Sequence, residues 1–412
     1  MQRACKGAGV VAIDAPPKRP AAASPPGGQR RWPGEACSTA FAWWRAVASL
    51  GRLLRGLLGG LLAGSTAVHA ATLPEDKAEL IYHSYDGGGV KATGPALLVR
   101  KSLADRVSLS AQYYVDAVSN ASIDVVTTAS PFKETRKAWD LGVDTVVRDT
   151  TLTLGLNSSR EPDYEANTAS FDAAHEVFGG MTTVSLGFTR GHDKVGQKGV
   201  AGWIDEALHW QYRTGVSQIL TPRWLASVNL EGISDSGYLG SPYRAALVFG
   251  AWVHENVPRT RSSRALKLRT IGDTGELVSR SSVRAEYRYY WDNWDIRAHT
   301  TEFGASKYVG ERFLLDTSLR FYSQSGALFY SDNASSEKLY VSRNRQLSAF
   351  SSNSLGARVS YSWPKLPAGY DLKLSASYEY KQFKFNDFTD LTTGALYAHK
   401  ANVLQLLASG TF

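Results

Sequence analysis

RVSLSAQYYVD, residues Arg106 to Asp116, sets Val107, Leu109, Ala111, Tyr113 and Val115 at alternate positions, with Ser108, Ser110, Gln112, Tyr114 and Asp116 between them. Successive side chains of a strand point to opposite faces, so this segment reads as a strand with one apolar and one polar face. The same split recurs at Thr151 to Asn157, at Thr182 to Thr189 and at Val283 to Tyr289. A helical period of 3.6 residues does not produce that pattern repeatedly.

Short turn signals join the strands at one end, near Leu103 to Asp105, Asp149 to Thr150, Phe178 to Gly180, Thr221 to Arg223 and Val309 to Glu311, with broader ones at Gly272 to Ser279 and Pro364 to Gly369. The opposite connections read as long. A strand on each side of every turn, with a first near Asp76 to Ser84 and a last near Tyr397 to Phe412, makes about 16 strands, with 14 as the alternative. The expected fold is all-β, a transmembrane antiparallel β-barrel with short inner turns and long outer loops. A soluble sandwich or propeller would show sandwich spacing or a repeat of about 40 to 50 residues, and no such repeat is visible. Trp139, Trp210, Trp224, Trp294 and Trp363 fall near strand ends, where interfacial aromatic girdles sit.

The last strand carries the most specific single feature. Leu404, Leu406, Ala408, Gly410 and Phe412 share one face, and the chain stops on an aromatic residue. Phe412 thus reads as the terminal signal for the barrel-assembly machinery.

Residues 1–70 differ from the rest and read as a leader with a cleaved signal peptide, the barrel occupying 71–412. Arg52 and Arg55 precede the apolar run Leu57 to Val68, and Val68-His69-Ala70 offers small residues where a signal peptidase reads. The run is too short for a spanning helix, which needs roughly 20 residues. Residues 1–50 read as an upstream start or a disordered leader. Of the 46 Lys+Arg and 38 Asp+Glu, the leader holds 9 and 2, leaving 37 against 36. The remainder is nearly neutral, which removes support for a nucleic-acid partner. Both cysteines, Cys5 and Cys37, also lie in the leader, so the mature chain has no disulfide, thiol nucleophile or Cys-ligated metal. The expected location is the outer membrane of a Gram-negative bacterium, with lipopolysaccharide as a neighbour.

LPEDKAELIYHSYDGGG (Leu73 to Gly89), EVFGGMTTVSLGFTRG (Glu176 to Gly191), HWQYRTGVSQILTPRW (His209 to Trp224), DSGYLGSPYR (Asp235 to Arg244), YWDNWDIRAHT (Tyr290 to Thr300) and ALFYSDN (Ala327 to Asn333) carry a resemblance. They resemble the domain-of-unknown-function 3570 family, a group of uncharacterised outer-membrane proteins, from Leu73 to the C-terminus. The resemblance implies the compartment and the fold, and brings no catalytic or ligand residues. It further implies genes neighbouring a small lipoprotein, a thioredoxin-like protein and a flavin transferase, and so a link to exported redox chemistry.

Enzymatic constellations are missing from the sequence. There is no nucleophile elbow, phosphate-binding loop or H-E-x-x-H, and His175-Glu176 lacks the second His. The seven histidines beyond the leader, at 83, 175, 192, 209, 254, 299 and 399, are scattered, so no metal set and no cofactor is expected. Gly87-Gly88-Gly89 reads as a tight first hairpin.

Continuing the alternation puts Asp116, Asp140, Asp144, Arg148, Asp172, Glu176, Arg213, Glu231, Arg284, Glu286, Arg288, Arg297, Asp316, Arg320, Arg358, Lys373, Glu379 and Lys381 in the lumen. Charge is tolerated there, whereas Arg or Lys on the lipid face costs about 2 to 4 kcal/mol at the midplane. The first half of this series is mostly acidic and the second mostly basic. Either an acidic wall faces a basic one, or the charges are structural salt bridges. The apolar run Ala245 to Val253 in the connection Asp235 to Arg261 either folds into the mouth as a constriction or extends a hairpin. Arg259, Arg261 and Arg264 read as contacts for lipopolysaccharide phosphates. The functional expectation is a non-enzymatic pore or transporter for small polar solutes, or the outer-membrane part of a redox-linked export system. The alternative is a structural or partner-docking barrel with a filled lumen. A barrel-embedded hydrolase would need a rim cluster of Ser, His and Asp that the sequence does not display.

Overall fold

A computed structural model describes residues 71–120, 122, 132–200, 202–275, 277–364 and 369–412. The expected leader and signal peptide lie outside the described residues.

The order begins β1 (Lys77–Gly87), β2 (Val90–Leu103), β3 (Val107–Asn120), β4 (Phe132–Val147), β5 (Thr150–Arg160) and β6 (Tyr164–Val177). It continues with β7 (Thr182–Gly196), β8 (Ile204–Thr221) and β9 (Trp224–Gly237). A small hairpin, β10 (Ala245–Val248) and β11 (Ala251–His254), precedes β12 (Thr260–Asp273), β13 (Ser281–Asp292), β14 (Arg297–Val309) and β15 (Phe313–Gln324). One 3-10 turn (Arg345–Leu347) leads to β16 (Phe350–Ser362), β17 (Asp371–Thr389) and β18 (Leu396–Thr411). All but β10 and β11 join one closed antiparallel barrel, sixteen strands round.

Closure is made by β1 and β18, in register from Lys77 opposite Thr411 to Gly87 opposite Ala401. It leaves no strand edge to be satisfied, the condition for backbone to cross hydrocarbon. Beyond the last pair, Phe412 N–H donates to the Asp76 carbonyl at 3.1 Å.

The outer face is apolar and exposed. Leu80, Leu154, Leu186, Leu230 and Leu355 are each roughly half exposed, in strands whose alternate residues are polar. Apolar surface left in water forfeits about 25 cal/mol per Å² relative to burial, so a continuous outer belt of this kind is a lipid face. Near the loop end of β13 the belt carries Tyr289 and Trp291, below them Tyr212 and Tyr287 lie mid-strand, and near the turn ends stand Trp224, Tyr361, Trp363 and Phe412. These are the two aromatic girdles of a membrane barrel, and the protein is an outer-membrane β-barrel by architecture. Trp294 corrects the expectation. It is 4% exposed, packed edge-on to Phe329 at 5.0 Å, and belongs to the loops above the strands.

All seven turns fall where the sequence placed them. Asp105 and Arg148 hold the left-handed backbone that tight hairpins demand, with φ of 52° and 56°. The opposite end is less uniform than expected. Gly88 and Gly89 alone join β1 to β2, and residues 161–163 alone join β5 to β6. The asymmetry between the two ends rests chiefly on the long β9–β12 and β15–β16 connections.

Candidate functional site: the lumen and its loop-end cover

Inward side chains neutralise one another across strands. Arg213 on β8 reaches over β7 to Asp172 on β6, at 2.8 Å, through the gap above Gly187. Arg100 on β2 reaches over β3 to Asp144 on β4 at 2.5 Å. Arg284 pairs with Glu302 at 3.3 Å, Arg288 with Glu231 at 3.1 Å and Lys267 with Glu286 at 2.9 Å. Asp116 takes His83 at 2.5 Å, and Lys381 sits 3.1 Å from Glu379. Asp172 and Arg213 both belong to the half of the barrel that reads acidic in sequence. The two walls are therefore largely compensated locally.

A remainder is not compensated. Arg269, Arg320, Arg358 and Lys373 share the inward parity of their strands and are exposed, and no carboxylate forms an ion pair with them among the described residues. Asp140, on the opposite side of the barrel, accepts from Asn157 at 2.6 Å, and Asp316 accepts from Ser306. Glu176 stands one residue from the turn end of β6. Water reaches these side chains inside a closed sheet.

Two expected lumen residues lie elsewhere. Arg148 is exposed in the β4–β5 turn, because the alternation stops at Val147 where the backbone turns left-handed. Arg297 has the outward parity of β14 and lies exposed beside Asp295 at 3.6 Å, since Ala298, Thr300 and Glu302 take the inward positions. Arg100, Lys267, Arg269 and Glu302 join the lumen set, and alternation along β2, β12 and β14 carries that signal. Tyr164, Asp193, His209 and Asp235 also converge, His209 lying 3.0 Å from Asp193 and 2.8 Å from Asp235. Their spacing along the chain conceals that meeting.

The basic cluster does not act as a unit. Arg259 forks onto Asp205 at 2.7 and 2.8 Å, and Arg261 turns inward to Asp292 at 2.6 Å with Trp294 beneath it. Arg264 remains exposed on the outward face of β12.

The long connections fold on one another at the loop end. The run Ala245 to Val253 forms the β10–β11 hairpin, and Ala246 and Val248 are buried against Ala334 and Val341 of the β15–β16 connection. A second core joins Trp294, Ile296, Ala327, Phe329 and Leu347. Polar ties fasten this cover at both sides. Asn256 N–H donates to the Val341 carbonyl at 3.0 Å, Arg343 to the Thr389 carbonyl at 2.6 Å, and Ala349 N–H to Asp387 at 2.9 Å. On the other flank the Tyr243 hydroxyl donates to Asp163 and accepts from Lys198 N–H at 2.6 Å. The run thus forms a hairpin whose β10 side chains are buried by a neighbouring loop, while Phe249, Trp252 and Val253 stay exposed.

Beside that flank the structure gathers three carboxylates that the sequence reading did not connect. Oxygens of Glu134, Glu161 and Asp163 lie within 4.8 Å of one another, a spacing that suits a hard cation with oxygen ligands. Burial, with Glu134 and Asp163 close by, pushes Glu161 up to about 7, against the opposing pull of Arg136 at 3.9 Å. Burial and the bond to Asp163 raise the Tyr243 hydroxyl well above an ordinary phenol.

Similar architecture occurs in solved structures at very low identity. The siderophore receptor PirA from Acinetobacter baumannii is 10% identical, with a TM-score of 0.43 over 80% of this chain, which spans 57% of the receptor. A bacterial polysaccharide outer membrane secretin is 9% identical, with a TM-score of 0.48, over 82% of this chain and 100% of the secretin. A Pseudomonas aeruginosa FadL homologue is 11% identical, with a TM-score of 0.39, over 82% and 90%. No curated protein matches the chain. The sequence pattern of one family covers residues 61–208 and 204–400, and the chain belongs to that family, the proteins of unknown function DUF3570.

Proposed function

We propose that the protein is a non-catalytic outer-membrane pore for small polar solutes, with the folded loop-end cover as its restriction. The observation that carries this reading is the exposure of Arg320 and Arg358 on the inward face of a closed barrel. A filled lumen would bury such groups against partners, because an unpaired buried charge is strongly unfavourable. Ion pairs on neighbouring strands then serve to hold the remaining wall side chains out of the path. The outward Arg264 is the one member of the basic cluster left to meet a lipopolysaccharide phosphate.

Planar-bilayer recording on the refolded protein tests the reading. Stepwise conductance is expected, and its complete absence in folded, heat-modifiable protein would overturn the pore. The second reading, a partner-docking barrel, draws on the folded loop connections and their two apolar cores. In that case conductance is absent and also fails to appear when the cover is removed.

A further inference from the structure

We propose that the inward face of β15, β16 and β17 is a track for small anions, carboxylates and phosphate in particular, an inference that rests on the pore reading for its transport role. Arg320, Arg358 and Lys373 stand on three consecutive strands, one cation to each. Asp316 faces Arg358 in register, so Arg320 lies four residues further toward the loop end. Arg358 in turn faces Ser377, and Lys373 lies four residues toward the turn end. Four strand residues rise about 13 Å and one strand step adds about 4.8 Å sideways, so successive Cα atoms are about 14 Å apart.

The residues between them leave room. Ser318, Gly356, Ser360, Ser375 and Ser377 occupy the inward positions around the cations, and none extends far from the sheet. Of the carboxylates that face the track, Glu302 and Glu379 are neutralised by other cations, whereas Asp316 and Asp371 keep their charge, leaving three cations against two carboxylates. Asp316 accepts the Ser306 hydroxyl, Glu302, the register partner of Arg320, takes Arg284, and Glu379 takes Lys381. Asp371 lies exposed at the turn end, two residues before Lys373.

Electrostatic range makes the three cations continuous. A solute midway between neighbours is about 7 Å from each, inside the roughly 8 Å screening length at physiological ionic strength. Attraction spread over several weak sites permits both entry and release, as conduction requires. Asp140 and Glu176 on the far wall keep cations from being excluded, so the track yields preference and not absolute selectivity.

The experiment compares wild type with the triple variant R320Q, R358Q and K373Q, both shown folded by heat-modifiable gel mobility. In a potassium chloride gradient across a planar bilayer, the wild-type reversal potential is expected to favour chloride, and the variant to lose that preference. Inorganic phosphate is expected to reduce chloride current in wild type alone. A charge-retaining variant, R320K with R358K, keeps the preference. Unchanged selectivity in the triple variant overturns the track and leaves the pore intact. Titration of detergent-solubilised protein with inorganic phosphate separates the two ideas further. Phosphate binding lost in the triple variant, without conductance, retains the anion site and overturns the pore, whereas equal binding in both overturns the site.

Discussion

Arg213 and Asp172 bond at 2.8 Å although a whole strand separates them, and the residue between them, Gly187, has no side chain to obstruct the contact. A Cβ at Gly187 would overlap Asp172 Oδ1 and lie 2.8 Å from Arg213 Nε. Gly304 likewise gives room to Arg284, whose Nε would be 2.6 Å from an added Cβ. Gly187 is thus the passage through which charges two strands apart meet, whereas Gly304 makes room for Arg284 beside Glu302 on the adjacent strand.

Gly187→Val is accordingly expected to separate Arg213 from Asp172 and to lower stability by about 1–3 kcal/mol, the range for an overfilled packed site. The urea unfolding midpoint in lipid vesicles measures it, with Gly232→Val as the control, since that glycine has open space around its Cβ position. Equal midpoints for the two variants would show that the gap is not needed.

The loop connections offer a second test because residues 71–412 contain no cysteine. Val248 and Ala334 are bridge partners, a separation suited to a disulfide. Solute flux through proteoliposomes is expected to fall when the V248C, A334C pair is oxidised and to recover on reduction. Deleting Tyr243 to Val257 is expected to raise flux. If neither change alters it, the cover does not restrict the path.

Protonation of Glu161 links the β5–β6 connection to pH. Its folded value of about 7 lies above the ordinary 4.5, so the folded connection binds the proton more tightly than the unfolded chain. That stabilising contribution is fully present below pH 4.5 and is lost as pH rises through 7. Protection of the amides of residues 161–164, exchange measured against the unstructured rate at each pH, is expected to fall between pH 5 and pH 8, whereas Glu161→Gln keeps it constant. A pH-independent protection pattern in wild type would contradict the assignment.

At the turn end, Phe412 donates its N–H to the Asp76 carbonyl, and the Lys101 ammonium lies 4.9 Å from its ring. Lys101 is itself paired with Asp76 at 2.7 Å. Removing Phe412 is expected to reduce the amount of assembled barrel in cells several-fold while changing the unfolding midpoint of protein refolded in vitro only slightly. Fractionation and heat-modifiable mobility read the first effect. An equal loss in both measurements would make Phe412 a fold-stabilising residue and not an assembly signal.

Alternation at Arg106 to Asp116 and its repeats was enough to determine a membrane barrel, because a strand's side-chain period of two carries its inside and outside directly. The turn residues then determined the strand number. Most lumen residues followed from parity alone, with two failures. Arg148 sits where a left-handed turn interrupts the alternation, and Arg297 is odd-numbered while the inward positions of both β13 and β14 are even, so the parity carried on from β13 already sets it outward.

Only the tertiary structure decided which charges meet. Partners such as Arg100 and Asp144 are 44 residues apart, and their contact depends on strand order, register and a small residue on the strand between. It therefore also decided that Arg320, Arg358 and Lys373 keep no carboxylate partner among the described residues, and that Trp294 and Ala246 are loop cores and not membrane contacts. The period of a strand is local and survives in sequence, whereas the offset between neighbouring strands is settled only when the sheet closes.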